Sequence, residues 1–212
     1  MRKASLKIET PCPEQLQYYL DAWDKQENYV LQEKALDKLF FDTYPSNTDI
    51  NDILIKASSL NDFYSTKIFS IFAVAKHIHS LNIDKRLRAG DLSLVDDIAE
   101  ITIGGKSKCF YSFASKYCSH HEPSLFPIYD YYVEKVLIHF RQVDKFFDFD
   151  NEALKKYPDF MSILNAFQRF YGLSAYNKKD LDRYLWQLGK RYFPRNYKHT
   201  KTSSKTKRKK KG

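Results

Sequence analysis

The sequence predicts an all-α protein, and three observations carry that reading. Six glycines and seven prolines punctuate 212 residues, about half the usual share, leaving little material for a many-turned sandwich or barrel. Apolar residues recur at helical spacing along most of the chain, whereas period-2 alternation is nearly absent; Leu6-Lys7-Ile8 is the one faint strand. Hydrophobic residues make up 43% and aromatics 16%, enough for a sizeable core and too much for a mainly disordered chain. The length suits one domain. The expectation is a helical domain over residues 1–194, in one or two closely packed lobes, followed by a disordered lysine-rich tail over 195–212.

Roughly nine helices follow in order. Pro13, suited to a first helical position, opens a pattern through Leu16, Tyr19, Leu20 and Trp23. A second runs through Tyr29, Val30, Leu36, Leu39 and Phe40 and stops before Pro45. Asn47-Thr48-Asp49 is an N-cap cluster for a helix through Ile50, Ile53, Leu54 and Ala57. Ser65 or Thr66 starts the most apolar helix, 68–78, expected to be central and buried. Residues 82–89 read as a connection bearing Lys85, Arg86 and Arg88. Ser93 caps a short helix through Leu94, Val95 and Ile98. Residues 101–105 read as a turn, 107–119 as a helix and 120–128, with two prolines, as a loop. Helices over 129–141, 158–171 and 178–192 complete the set.

The formal charge is +9. Nine basic residues fall between Arg195 and Gly212 (Arg195, Lys198, Lys201, Lys205, Lys207, Arg208, Lys209, Lys210 and Lys211) with no acid among them, which leaves 1–194 formally neutral. Such a tail binds phosphate backbones without sequence preference and with strong salt dependence. Three cysteines, Cys12, Cys109 and Cys118, are too few and too odd for a disulfide framework and point to a reducing cytoplasm. No apolar run approaches the ~20 residues of a membrane span, and the N-terminus lacks a signal-peptide pattern. The chain is therefore expected to be a cytoplasmic monomer that stays off membranes.

Chemistry concentrates in 101–133. Gly104 and Gly105, read as the turn before a helix, would free backbone N–H groups beside Lys106 and Lys108, a phosphate site in the making. Asp130 falls near the first turn of the next helix, where an acid either caps the helix or faces a cleft. A lysine meeting that acid suits nucleophilic or acid–base work. Lys108 and Lys116 compete for the role. A half-buried helix would lower the pKa of Lys116, as an amine nucleophile needs. Cys109, Cys118, His120 and His121 lack zinc-like spacing; the histidines read as helix C-terminal residues, and no metal or cofactor is expected.

These residues resemble a known family. Glycine turn, helix, proline loop and helix-start aspartate, with SFASKY at 112–117, FPIYD at 126–130, LNDFYSTKI at 60–68 and LDRYLWQLGK at 181–190, resemble the helix-hairpin-helix DNA glycosylases. The branch related to 8-oxoguanine DNA glycosylase, and small bacterial proteins of that fold, are the nearest in pattern. The resemblance spans about residues 47–194. It implies a two-lobed helical bundle with a DNA-facing cleft. It also implies a lysine that attacks the sugar C1′ as an altered base leaves, and an aspartate that stabilises charge or moves protons. Gly104 matches the hairpin's first glycine, Lys108 the lysine and Asp130 the acid. Two departures stand out: the second glycine falls on Lys106, and Tyr129 is an extra residue before Asp130.

Three functions are compatible with these features. One is a base-excision glycosylase, or glycosylase/lyase, acting on duplex DNA with an altered base. Another is a catalytically inactive DNA-binding or interaction module on the same fold. The third is a helical protein–protein adaptor whose tail alone touches nucleic acid. In the DNA-binding readings Lys85, Arg86, Arg88, Gly104, Gly105 and Lys106 contact the phosphates, while Lys108 or Lys116 with Asp130 would supply the chemistry.

Overall fold

A computed structural model describes residues 8–195. The faint strand at 6–8 and the lysine-rich segment lie outside them, apart from Ile8 and Arg195. Among the described residues there are ten α-helices and one two-stranded hairpin, an all-α class. The helices are α1 (Pro13–Trp23), α2 (Glu27–Asp37), α3 (Ile50–Phe63), α4 (Ile71–Ser80), α5 (Asp84–Arg88), α6 (Ser93–Ala99), α7 (Tyr111–His121), α8 (Tyr131–Asp144), α9 (Tyr157–Phe170) and α10 (Lys178–Tyr192). The hairpin strands are β1 (Glu100–Ile103) and β2 (Lys106–Cys109). A π-helical turn, Lys38–Thr43, extends α2.

The helix expected from 107 is corrected: residues 100–109 form the antiparallel hairpin, with Ile101 opposite Lys108 and Ile103 opposite Lys106. Gly104 and Gly105 have φ of +57° and +73°. Two positive-φ residues in succession make the turn that matches strand twist, so the chain reverses instead of entering a helix. Helix α7 begins only at Tyr111.

The apolar stretch at 68–78 is also corrected. Ser65 and Lys67 take left-handed conformations, at φ of 48° and 59°, which delays α4 to Ile71. Only Val74, Ala75 and Ile78 of α4 are buried, while Phe72 stands 59% exposed. The buried helix is α7, from Phe113 to His121. Helices α3 and α6 and the π-helical turn all pack on it, covering all but the side on which Ser112 and Lys116 line a cleft. The 82–89 connection is itself helical, as α5.

Helices α8 and α10 cross at very close range. A Cβ on Gly189 would come within 2.6 Å of Tyr132 Cβ and 2.7 Å of its carbonyl oxygen. That contact sets the spacing of α8, which Asp130 caps, and α10, which carries Asp182.

Candidate functional site

Lys116 sits midway along α7 among core residues and is 4% exposed. Its Nζ donates to Ser112 Oγ at 2.6 Å and to the Ser112 carbonyl at 3.3 Å. It lies 5.1 Å above the Tyr64 ring. Burial pushes its pKa below that of a free lysine, with Asp130 and Asp182 acting against the shift and Arg195 with it.

Asp130 is the N-cap of α8: its Oδ1 accepts from the backbone N–H of Tyr132 and Val133 at 2.8 and 2.9 Å. The proline loop before it is pinned at three points. Tyr157 Oη donates to the Pro127 carbonyl at 2.6 Å, Ser115 Oγ accepts from the Tyr129 N–H at 3.1 Å, and Asp182 Oδ2 accepts from the Ile128 N–H at 2.9 Å. The extra residue, Tyr129, is absorbed inside. Its ring packs 4.6 Å from Tyr111 and 5.4 Å from Phe160.

Asp182, just past the first turn of α10, is buried, and its Oδ1 has no hydrogen-bond partner among the described residues. Burial pushes its pKa up to about 8, against the Ile128 N–H and the Lys179 charge. At neutral pH it is mainly a neutral carboxyl that can donate a hydrogen bond.

Lys116, Asp130 and Asp182 line one cleft of about 750 Å³. That volume lies within the range of about 300–1,000 Å³ found for small-molecule sites. Tyr64 and Phe113 floor it beside Lys116, and Glu33 enters from α2 in ion pairs with Lys179 and Arg183, both at 2.6 Å.

The other sequence-predicted residues lie elsewhere. Gly104, Gly105, Lys106 and Lys108 are exposed on the hairpin and do not line the cleft, although Cys109 and Phe110 do. The structure therefore brings Lys116, and not Lys108, to Asp130. The anticipated phosphate cradle is corrected with the hairpin: Gly104 and Gly105 join two strands and precede no helix. Lys85 and Arg88 are exposed on α5, while Arg86 is held by Asp91 at 2.7 Å and Asp97 at 2.6 Å. His120 and His121 do end α7, yet burial drives His121 down to about 3 and His120 well below its usual value, so neither is a charged partner of the helix end. No metal-binding cluster of three or more His, Cys, Asp or Glu occurs among the described residues. Among those residues no helix is long and apolar enough to cross a membrane.

Asp182 and Tyr64 were not singled out from the sequence. The available signal for Asp182 was an acid set beside Leu181 on the apolar face of a helix; for Tyr64 there was none.

Fold and cleft together define an all-α protein in which a buried lysine and two carboxyls share one cavity. The chain belongs to the HI_0787_N family, an N-terminal domain matched over residues 15–125. It is 53% identical over 150 residues to an uncharacterized protein of Haemophilus influenzae, covering 70% of this chain and 72% of that one. No solved structure matches. The family match takes in Lys116 and ends before Asp130.

Proposed function

We propose that this chain is a DNA-binding protein that excises an altered base, with Lys116 as the amine nucleophile and Asp130 as the partnering acid. One observation carries the proposal: Lys116 is desolvated, held by a single serine, and lines the same cleft as Asp130. A desolvated amine is more often neutral, and only the neutral amine attacks. In the reaction the Lys116 nitrogen bonds to C1′, the C1′–N electron pair leaves with the base, and the proton released by the newly alkylated amine passes to the departing base. Opening of the sugar then gives a Schiff base. The Asp130 carboxylate stabilises the positive charge that develops at the sugar. A cytoplasmic setting accords with the three free thiols.

Borohydride trapping on duplex DNA carrying an abasic site or 8-oxoguanine tests this. The wild type and Lys108→Ala are expected to give a covalent adduct and Lys116→Ala none. An adduct lost in Lys108→Ala but kept in Lys116→Ala would overturn the choice of nucleophile. The absence of both adduct and base release would overturn the enzyme reading and leave the inactive binding module on the same fold.

A further inference from the structure

Two sets of aromatic side chains differ in burial. Phe40, Tyr117, Phe126, Tyr157, Phe160 and Phe167 are sealed in the core. A second set is partly buried and forms one connected series, of which Trp23, Tyr29, Tyr132 and Trp186 line the cleft and Tyr131 lies beyond it. Trp23 of α1 stacks on Tyr29 of α2, with ring centroids 5.8 Å apart and planes inclined by 26°. Both meet Trp186 of α10 edge-on, at 5.8 and 5.0 Å. Trp186 meets Tyr132 at 6.2 Å, and Tyr132 meets Tyr131 at 5.3 Å. The series thus runs from the cleft interior to the surface of α8.

Cations accompany the rings. Arg183 lies 5.6 Å from Trp23, and Lys190 lies 4.7 Å from Tyr29 and 4.5 Å from Trp186. Arg195 lies 4.3 Å from Tyr131, whose ring also carries Lys135 at 5.4 Å. Partly exposed rings with cations beside them suit an unpaired strand, because bases stack on the rings while phosphates meet the charges of Lys190, Lys135 and Arg195; Arg183 is already paired with Glu33. A paired duplex hides its base faces inside its own stack and cannot use such a strip.

We infer that this strip binds an unpaired DNA strand, so that the ligand entering the cleft is a nucleotide in a single-stranded or unwound segment. The inference deepens the proposed function by naming the state of its substrate. Binding to the strip needs no lesion and no chemistry, so it is measured independently of Lys116.

The molecule supplies its own reporter. The two tryptophans of the chain, Trp23 and Trp186, both belong to the strip. A base stacking there quenches their fluorescence. The full chain is titrated with lesion-free oligothymidylate of about twelve nucleotides, within the site sizes of single-strand grooves. The same titration is run with the matching duplex, with oligouridylate of equal length and with heparin, a polyanion without bases. Oligothymidylate is expected to quench at saturation and heparin to leave the emission unchanged. The duplex is expected to bind about tenfold more weakly than the strand, the scale of one lost stacking contact. Tyr131→Ala is expected to weaken oligothymidylate binding about tenfold, with Tyr131→Phe retaining it. Equal quenching by heparin, equal affinity for duplex and strand, tighter binding of oligouridylate, or an unaltered Tyr131→Ala would each overturn the inference. Quenching by oligothymidylate without a borohydride adduct would sink the excision chemistry and leave the strip standing. An adduct on duplex with no quenching would do the reverse.

Discussion

Among the described residues two lysines are buried, Lys56 and Lys116, and their surroundings differ. Lys56 of α3 is 0% exposed, and its Nζ donates to the Tyr44 carbonyl at 2.9 Å, the Ser46 carbonyl at 2.8 Å and Asn47 Oδ1 at 2.8 Å. Asn47 is held in turn by Asp84 at 2.7 Å and by Tyr117 at 2.6 Å. Three N–H groups meet three oxygens, and the ammonium acts as a clamp on the 44–47 turn. Lys116 has Ser112 and little else, and it opens on a cavity. Burial lowers the pKa of both, Lys56 to about 8. Desolvation alone therefore does not mark a lysine as reactive. What differs is how many donors are spent, and whether a ligand can reach the nitrogen.

The largest expected effect is at the clamp. Lys56→Met leaves the Tyr44 and Ser46 carbonyls without their donor, and each buried group left unpaired costs about 1–3 kcal/mol. A loss of roughly 3 kcal/mol in urea unfolding is expected. The gap should also depend on pH. The folded-state pKa of Lys56, about 8, lies below the 10.5 of a free lysine. Between those values the unfolded state binds more protons, so wild-type stability rises with pH by up to ~1.4 kcal/mol per unit relative to Lys56→Met. A gap that narrows over this window would show that Lys56 is not held as a desolvated cation.

A smaller effect of the opposite sign is expected at Lys116. Replacing a poorly partnered buried charge with an apolar side chain of similar size often stabilises, so Lys116→Met should gain about 1 kcal/mol. A destabilisation as large as that of Lys56→Met would erase the contrast and make Lys116 a structural lysine too.

Most helices were legible because their periodicity is a property of the local sequence. Residues 178–192 match α10 end to end, and 158–171 match α9 within a residue. The hairpin was not legible, because Lys106-Ser107-Lys108-Cys109 is exposed at every position and shows no apolar alternation. A Gly-Gly pair before it fits a helix entrance equally well. The buried helix was misplaced for a related reason. The apolar stretch at 68–78 leaves Phe69 and Phe72 in solvent, whereas the more polar α7 is buried because α3, α6 and the π-helical turn close over it. Asp130 was readable as a helix cap. Asp182 was not, since its burial depends on the Ile128 N–H, 54 residues away in sequence.

The finest test of the contrast is Ser112→Ala, which removes the side-chain acceptor nearest the Lys116 nitrogen. Ser112 Oγ, at 2.6 Å, favours the charged amine, and the 3.3 Å contact to the Ser112 carbonyl survives the substitution. With the hydroxyl gone the ammonium is less well held, so the pKa falls further below that of a free lysine. The acidic limb of the rate of borohydride trapping should then move to lower pH by less than one unit, since a full unit corresponds to about 1.4 kcal/mol and a net hydrogen bond to about 0.5–1.5. Overall stability should fall by no more than about 1 kcal/mol, because Ser112 is only half-buried and water can replace the lost contact. A limb that moves to higher pH would mean that the serine had been donating to a neutral amine, which reverses the assigned direction of this hydrogen bond. A limb that does not move would mean that proton loss from Lys116 does not govern trapping, and the difference between the two lysines would then be one of access alone.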